Sequence, residues 1–184
     1  MRRSFMQGAI VLVLFTFAPM TRSSGQVALG VGVGPAIPLG DLGDVANTGW
    51  RALGTVAIGV PLVPVGLRLD AAYDRFGFQK TPVGSTGSDT GAESVLSATA
   101  NVTLRLPFSV PLVSTYLIAG TGPYRVSCSG PATCATQTKA GWNAGVGARF
   151  GILVVHGFVE ARLHHVSVTG GSVQYLPITV GLTL

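Results

Sequence analysis

In the stretch "LHHVS", His165 and Ser167 stand two residues apart. On a strand such a pair shares one face. A serine hydroxyl beside an imidazole is the minimum apparatus for acyl transfer, in which the imidazole takes the proton as the hydroxyl attacks an ester. That chemistry also uses a carboxylate to orient the histidine, and no Asp or Glu follows Glu160 in the chain. The pair therefore reads first as strand-end surface and only second as a catalytic dyad.

A larger set of capable residues is ionic. Arg51, Arg68, Asp70, Asp74, Arg105, Arg149, Glu160 and Arg162 all fall at positions of one parity within alternating segments. They could line a pore and select ions by charge. They could equally pair with one another inside a filled interior, because an isolated charge away from water is costly and a paired one is tolerable. The paired, filled interior is the expectation. Cys128 and Cys134 lie in "SCSGPATC". Two thiols without a nearby histidine pair do not make a four-ligand zinc site, and the spacing is not that of a C-x-x-C redox pair. A disulfide across a loop tip is expected for an exported chain. "GVGVGP" lacks the helix and the Lys-Ser/Thr pair of a phosphate loop, so no nucleotide, metal or other cofactor is assigned.

The first 25 residues combine Arg2 and Arg3, an apolar run from Gly8 to about Met20, and the small residues Ser23 and Gly25. This is the pattern of a secretory signal, and it divides the chain into a signal peptide over 1–25 and one domain over 26–184. Loss of the signal removes Arg2, Arg3 and Arg22, so most of the net charge of +5 goes with it. The remaining basic residues are scattered singly, which excludes a nucleic-acid partner. Charged residues make up 10% of the chain and hydrophobic ones 47%, where a soluble domain has about 25% charged. Something other than water is expected around much of the surface.

From Val27 onward the pattern is period two, broken at intervals by Gly, Pro, Asn and Asp, as in a series of antiparallel strands. Eight strands are predicted: Val27–Pro38, Trp50–Val60, Val65–Phe76, Glu93–Leu106, Leu112–Val126, Lys139–Phe150, Val155–Val168 and Val173–Leu184. Short connections such as "PLVP", "PFSVP" and "GILV" alternate with longer polar ones, "LGDLGDVANTG", "GFQKTPVGSTGSDTGA" and "SCSGPATCATQT". That asymmetry fits a transmembrane barrel with short periplasmic turns and longer outward loops. Leu176, Ile178, Val180, Leu182 and Leu184 then form the apolar face of a closing strand that pairs with the first and leaves no edge.

Alternation does not by itself say which face is outside, because a soluble ligand-binding barrel alternates as well. The polar face here is built from Gly, Ala, Ser, Thr and Asn with a few Arg and carboxylates, and the lysines Lys80 and Lys139 sit near loops. Small side chains and paired charges suit a narrow lumen. The polar face is therefore placed inside and the apolar face in lipid. Trp50, Tyr73, Tyr116, Trp142, Phe150 and Tyr175 are expected near strand ends as interfacial aromatics.

With its leading signal, "GWNAGVGARFGI", "GFVEARLHHV" and the closing "YLPITVGLTL", the chain resembles the small OmpA-like and opacity-like eight-stranded outer-membrane barrels over its whole mature length. The resemblance implies an eight-stranded antiparallel up-and-down transmembrane β-barrel in the bacterial outer membrane. It also implies contact with outer-membrane lipid and a last strand read by the barrel-assembly machinery during insertion. This group usually ends in an aromatic residue, and the last residue here is Leu184. His165 and Ser167 are also similar to the H-x-S motif of outer-membrane lipid A deacylases. That family continues with Asn and Ala, where this chain has Val168 and Thr169.

The expected role is structural: membrane anchoring or surface interaction, without catalysis, with loops 77–92 and 127–138 free to meet extracellular ligands. A narrow channel for ions or small solutes is the alternative. A deacylase-like esterase and a soluble ligand-binding barrel stand behind it.

Overall fold

The computed structural model describes residues 26–59, 63–77, 91–107, 112–129, 135–152 and 155–184. The expected signal peptide and Cys134 lie outside them, as do the middle of the loop at 77–92 and residues 130–134 of the loop at 127–138. The strands are β1 (Gln26–Leu39), β2 (Gly49–Gly59), β3 (Val65–Gly77), β4 (Ala92–Arg105), β5 (Val113–Ser129), β6 (Gln137–Ile152), β7 (Val155–Val168) and β8 (Gly171–Thr183). Each pairs antiparallel with the next, and β1 pairs with β8 to close the barrel. A strand needs about 9–11 residues to cross a bilayer, and these run from 11 in β2 to 17 in β5.

Closure is completed at the last residue. Leu184 donates its N–H to the Leu29 carbonyl at 2.8 Å and accepts from the Leu29 N–H at 3.1 Å. Without these bonds four backbone groups at this seam would have no partner, which lipid does not tolerate.

The facing follows the expected parity. In β3, Leu67 and Leu69 are 57% and 58% exposed, while Arg68 and Asp70 between them are 3% and 6% exposed. Leu176, Ile178, Val180 and Leu182 likewise belong to the outward face of β8, and Leu184 just past it continues that face, opposite in parity to the buried Val173, Tyr175 and Thr179. The inside-out alternative, an apolar cavity behind a polar exterior, is overturned by this pattern.

Two local expectations need correction. "LGDLGDVANTG" is not a purely polar loop. It forms the short helix α1 (Gly40–Gly43), entered through Gly40 at φ +54°, a conformation that glycine adopts without steric cost. α1 and the turn after it send Leu42 and Ala46 into the barrel mouth, where they are buried with Phe76, Val95, Tyr124, Val126, Val166, Val173 and Tyr175. The inward face therefore turns apolar at this end. Alternation reports only which way a side chain points, and the taper at the end of a barrel can be filled by either chemistry.

The aromatic girdle is also smaller than expected. Trp50, Trp142 and Phe150 are exposed, and Trp50 packs against Tyr73 with ring centroids 5.5 Å apart. Tyr116 and Tyr175, by contrast, are lumenal and buried.

Candidate functional site: the lumen

Six of the eight charged residues predicted for the inward face meet in the middle of the barrel. Arg68 on β3 reaches across the lumen to Glu160 on β7 through Nη1 and Nη2, at 2.9 Å each. The same guanidinium contacts Asp70, two residues along its own strand, through Nε and Nη2 at 3.1 and 3.0 Å. Arg162 approaches Asp70 at 2.8 Å and Glu160 at 2.6 Å. Two cations and two anions thus form a closed quartet spanning β3 and β7, in which every charge has two opposite neighbours. Asn101 donates to Asp70 at 3.0 Å from β4, and Tyr116 donates its hydroxyl to Glu160 at 2.7 Å from β5.

One layer outward, Arg51 and Asp74 make a bidentate pair at 2.7 and 3.0 Å. They sit directly opposite each other in the β2–β3 register. Arg51 also lies 3.0 Å from His164 Nε2 through Nη1. A guanidinium has only donors, so Nε2 accepts and the ring proton resides on Nδ1, which donates to the Tyr124 hydroxyl at 2.9 Å. The His164 ring stacks on Tyr175, with centroids 4.9 Å apart and planes 10° from parallel. This stack joins the ionic middle to the apolar mouth.

Arg105 and Arg149, also inward by parity, are not part of this network. Arg149 lies over the Tyr116 ring at 4.8 Å, and both arginines line the lumen at the opposite end, near Ala28 and Thr183. Neither forms an ion pair with a carboxylate among the described residues. Ionic pattern alone put all eight residues in one set. Depth along the barrel separates them.

His164, not His165, is the lumenal histidine, a role that parity signals: Glu160, Arg162 and His164 are spaced by two and share the inward face. Glycine makes room for the large lumenal rings. A side chain at Gly147 would meet the Tyr116 ring, and one at Gly181 would meet Phe158, which is the close-approach use of glycine within a strand.

His165 and Ser167 do lie on the outward face, with Ser167 Oγ 3.4 Å from His165 Nε2. The imidazole stacks on Trp142 at 5.5 Å, and no carboxylate among the described residues pairs with it. Asp41, bonded to the residue opposite Ser167, instead accepts from the Ser172 N–H at 3.1 Å and hydroxyl at 3.2 Å. The dyad lacks the orienting group that its chemistry calls for. Cys128 stands opposite Glu93 in the β4–β5 register, at the outer end of β5.

The chain has the fold of the eight-stranded outer-membrane barrels. Among solved structures it is similar to Neisserial surface protein A, with a TM-score of 0.66 at 17% identity over 88% of this chain and 99% of that one. A major outer membrane protein from Thermus thermophilus matches with a TM-score of 0.51 at 11% identity, over 88% of this chain and 98% of that one. The Yersinia pestis outer membrane protein Ail, solved in a phospholipid bilayer nanodisc, gives 0.51 at 18% identity over 86% and 100%. No protein-family model matches the chain, and no curated protein matches it in sequence.

Proposed function

We propose that the protein is an integral barrel of the bacterial outer membrane that serves as an anchor and surface-interaction scaffold, with a lumen closed by its own side chains. The observation that carries this reading is the facing of a closed barrel, with large apolar side chains outward on every strand and ion pairs inward. Such a surface needs lipid around it. The loops at 77–92 and 127–138 are the segments offered to extracellular ligands, the second of them braced by a Cys128–Cys134 disulfide. β8 is the strand that the assembly machinery engages. The scaffold is assigned no catalysis, in keeping with the missing carboxylate at His165.

Membrane fractionation followed by gel electrophoresis with and without boiling tests the reading. Recovery only with detergent, together with a band that shifts on boiling, supports it. A soluble periplasmic protein without a heat shift overturns it. Planar-bilayer recording separates the scaffold from a channel: the quartet, the Arg51–Asp74 layer and the apolar mouth lie in series, so no steady conductance is expected.

A further inference from the structure

The described lumen carries three arginines and three carboxylates in its middle, and they balance. At the end near Ala28 and Thr183, Arg105 and Arg149 have no such balance. Arg105 stands opposite Tyr116 across the β4–β5 ladder, and Arg149 stands opposite Ser114 across the β5–β6 ladder. The two guanidinium groups therefore flank β5 from its two neighbours, each on the lumenal parity. They share a recess of about 60 Å³ with Thr103, Ser114 and Tyr116. That recess adjoins a wider open cavity of about 460 Å³ lined by the same two arginines and by Ser114, His156 and Thr183. None of the described carboxylates lines either space. Glu160, the nearest along β7, is occupied by Arg68, Arg162 and the Tyr116 hydroxyl.

We infer that this vestibule is an anion site for a phosphate-type group. Two planar guanidinium forks bind oxyanions in bidentate fashion, and the hydroxyls of Ser114 and Thr103 supply further donors at the same depth. The Tyr116 ring lies against Arg149, and its hydroxyl is tied to Glu160, so it stands between the recess and the quartet. A cationic cleft with low-dielectric walls concentrates its field on such a group. Two sources have this chemistry: the headgroup of an anionic phospholipid in the leaflet beside the turns, and a soluble phosphate or phosphoester. The lipid source rests on the membrane reading above, and the soluble source does not.

The test compares wild type with an R105Q/R149Q double variant in lauryldimethylamine oxide, a detergent without phosphate. Calorimetric titration with sodium pyrophosphate reads the soluble source. Native mass spectrometry after mixing with phosphatidylglycerol or phosphatidylcholine reads the lipid source. Pyrophosphate binding weakened roughly tenfold or more in the variant, and weakened in wild type by added salt, supports a soluble phosphate ligand. Preferential retention of phosphatidylglycerol by wild type, lost in the variant, supports a headgroup ligand. Equal behaviour of the two proteins toward both probes overturns the inference. The heat-shifted band of each sample reports the barrel independently, so failure of the site and failure of the barrel reading are distinguishable. If the double variant lacks that band, R105Q and R149Q singly carry the comparison.

Discussion

The middle of the lumen and its outer mouth are both closed, by opposite chemistry. In the middle, Arg68, Asp70, Glu160 and Arg162 fill the cross-section with charges that pair with one another. At the mouth, Leu42, Phe76, Val95, Val166 and Tyr175 fill it with carbon. The first arrangement depends on complete partnership, because one missing member leaves another buried and charged. The second depends on volume, because a truncated side chain leaves a cavity that its neighbours fill only in part. The contrast teaches that "polar inside" describes the middle of this barrel and not its whole length.

The sharpest way to break the comparison is to unbalance the quartet. Asp70→Leu leaves Arg68 and Arg162 sharing Glu160, and it should destabilise the barrel by about 3–5 kcal/mol. Replacing all four members with apolar residues of similar volume should cost much less than this single change. Urea unfolding in lipid vesicles, followed by loss of the heat-shifted band, measures both. A single substitution milder than the fourfold one would show that the quartet does not act as a unit.

At the mouth, Phe76→Ala should cost about 3 kcal/mol through cavity formation, with no conductance in planar bilayers because the ionic layers beneath remain. A steady conductance in this variant would show that the apolar cap, and not the ion pairs, is the seal. Between the two regions, Tyr124→Phe removes the acceptor for the His164 Nδ1 proton and should cost roughly 1–3 kcal/mol. A midpoint unchanged from wild type would mean that the histidine finds another partner. The smallest effect is expected outside. Ser167→Ala should leave stability within about 0.5 kcal/mol of wild type. Wild type and variant should be equally inert toward acyl ester substrates. Ester hydrolysis by wild type that Ser167→Ala abolishes would restore the catalytic reading of His165 and Ser167.

Much of this was legible in the residue pattern. The parity of Val65 to Phe76 gave both the strand and its facing, and the starts and ends predicted for the eight strands fall within three residues of those observed. Period-two alternation is a local property, so a local reading captures it. The helix α1 escaped because a four-residue turn has no period to detect. Tyr116 and Tyr175 were placed at the interface because aromatic residues near strand ends suit both environments. Only their inward parity, borne out by the hydrogen bond to Glu160 and the stack on His164, separates them from Trp50 and Trp142.

The sequence by itself determined the number of strands, their order, the alternation of inward and outward positions, and the chemical types available to the lumen, because alternation and turn residues act over a few positions along the chain. Partnership was decided by tertiary structure alone. Arg68 and Glu160 are 92 residues apart, and Arg51 and His164 are 113 apart. They meet because barrel closure and the stagger between strands set which inward side chains share a depth. The same stagger leaves Arg105 and Arg149 beyond the reach of the carboxylates that neutralise the rest.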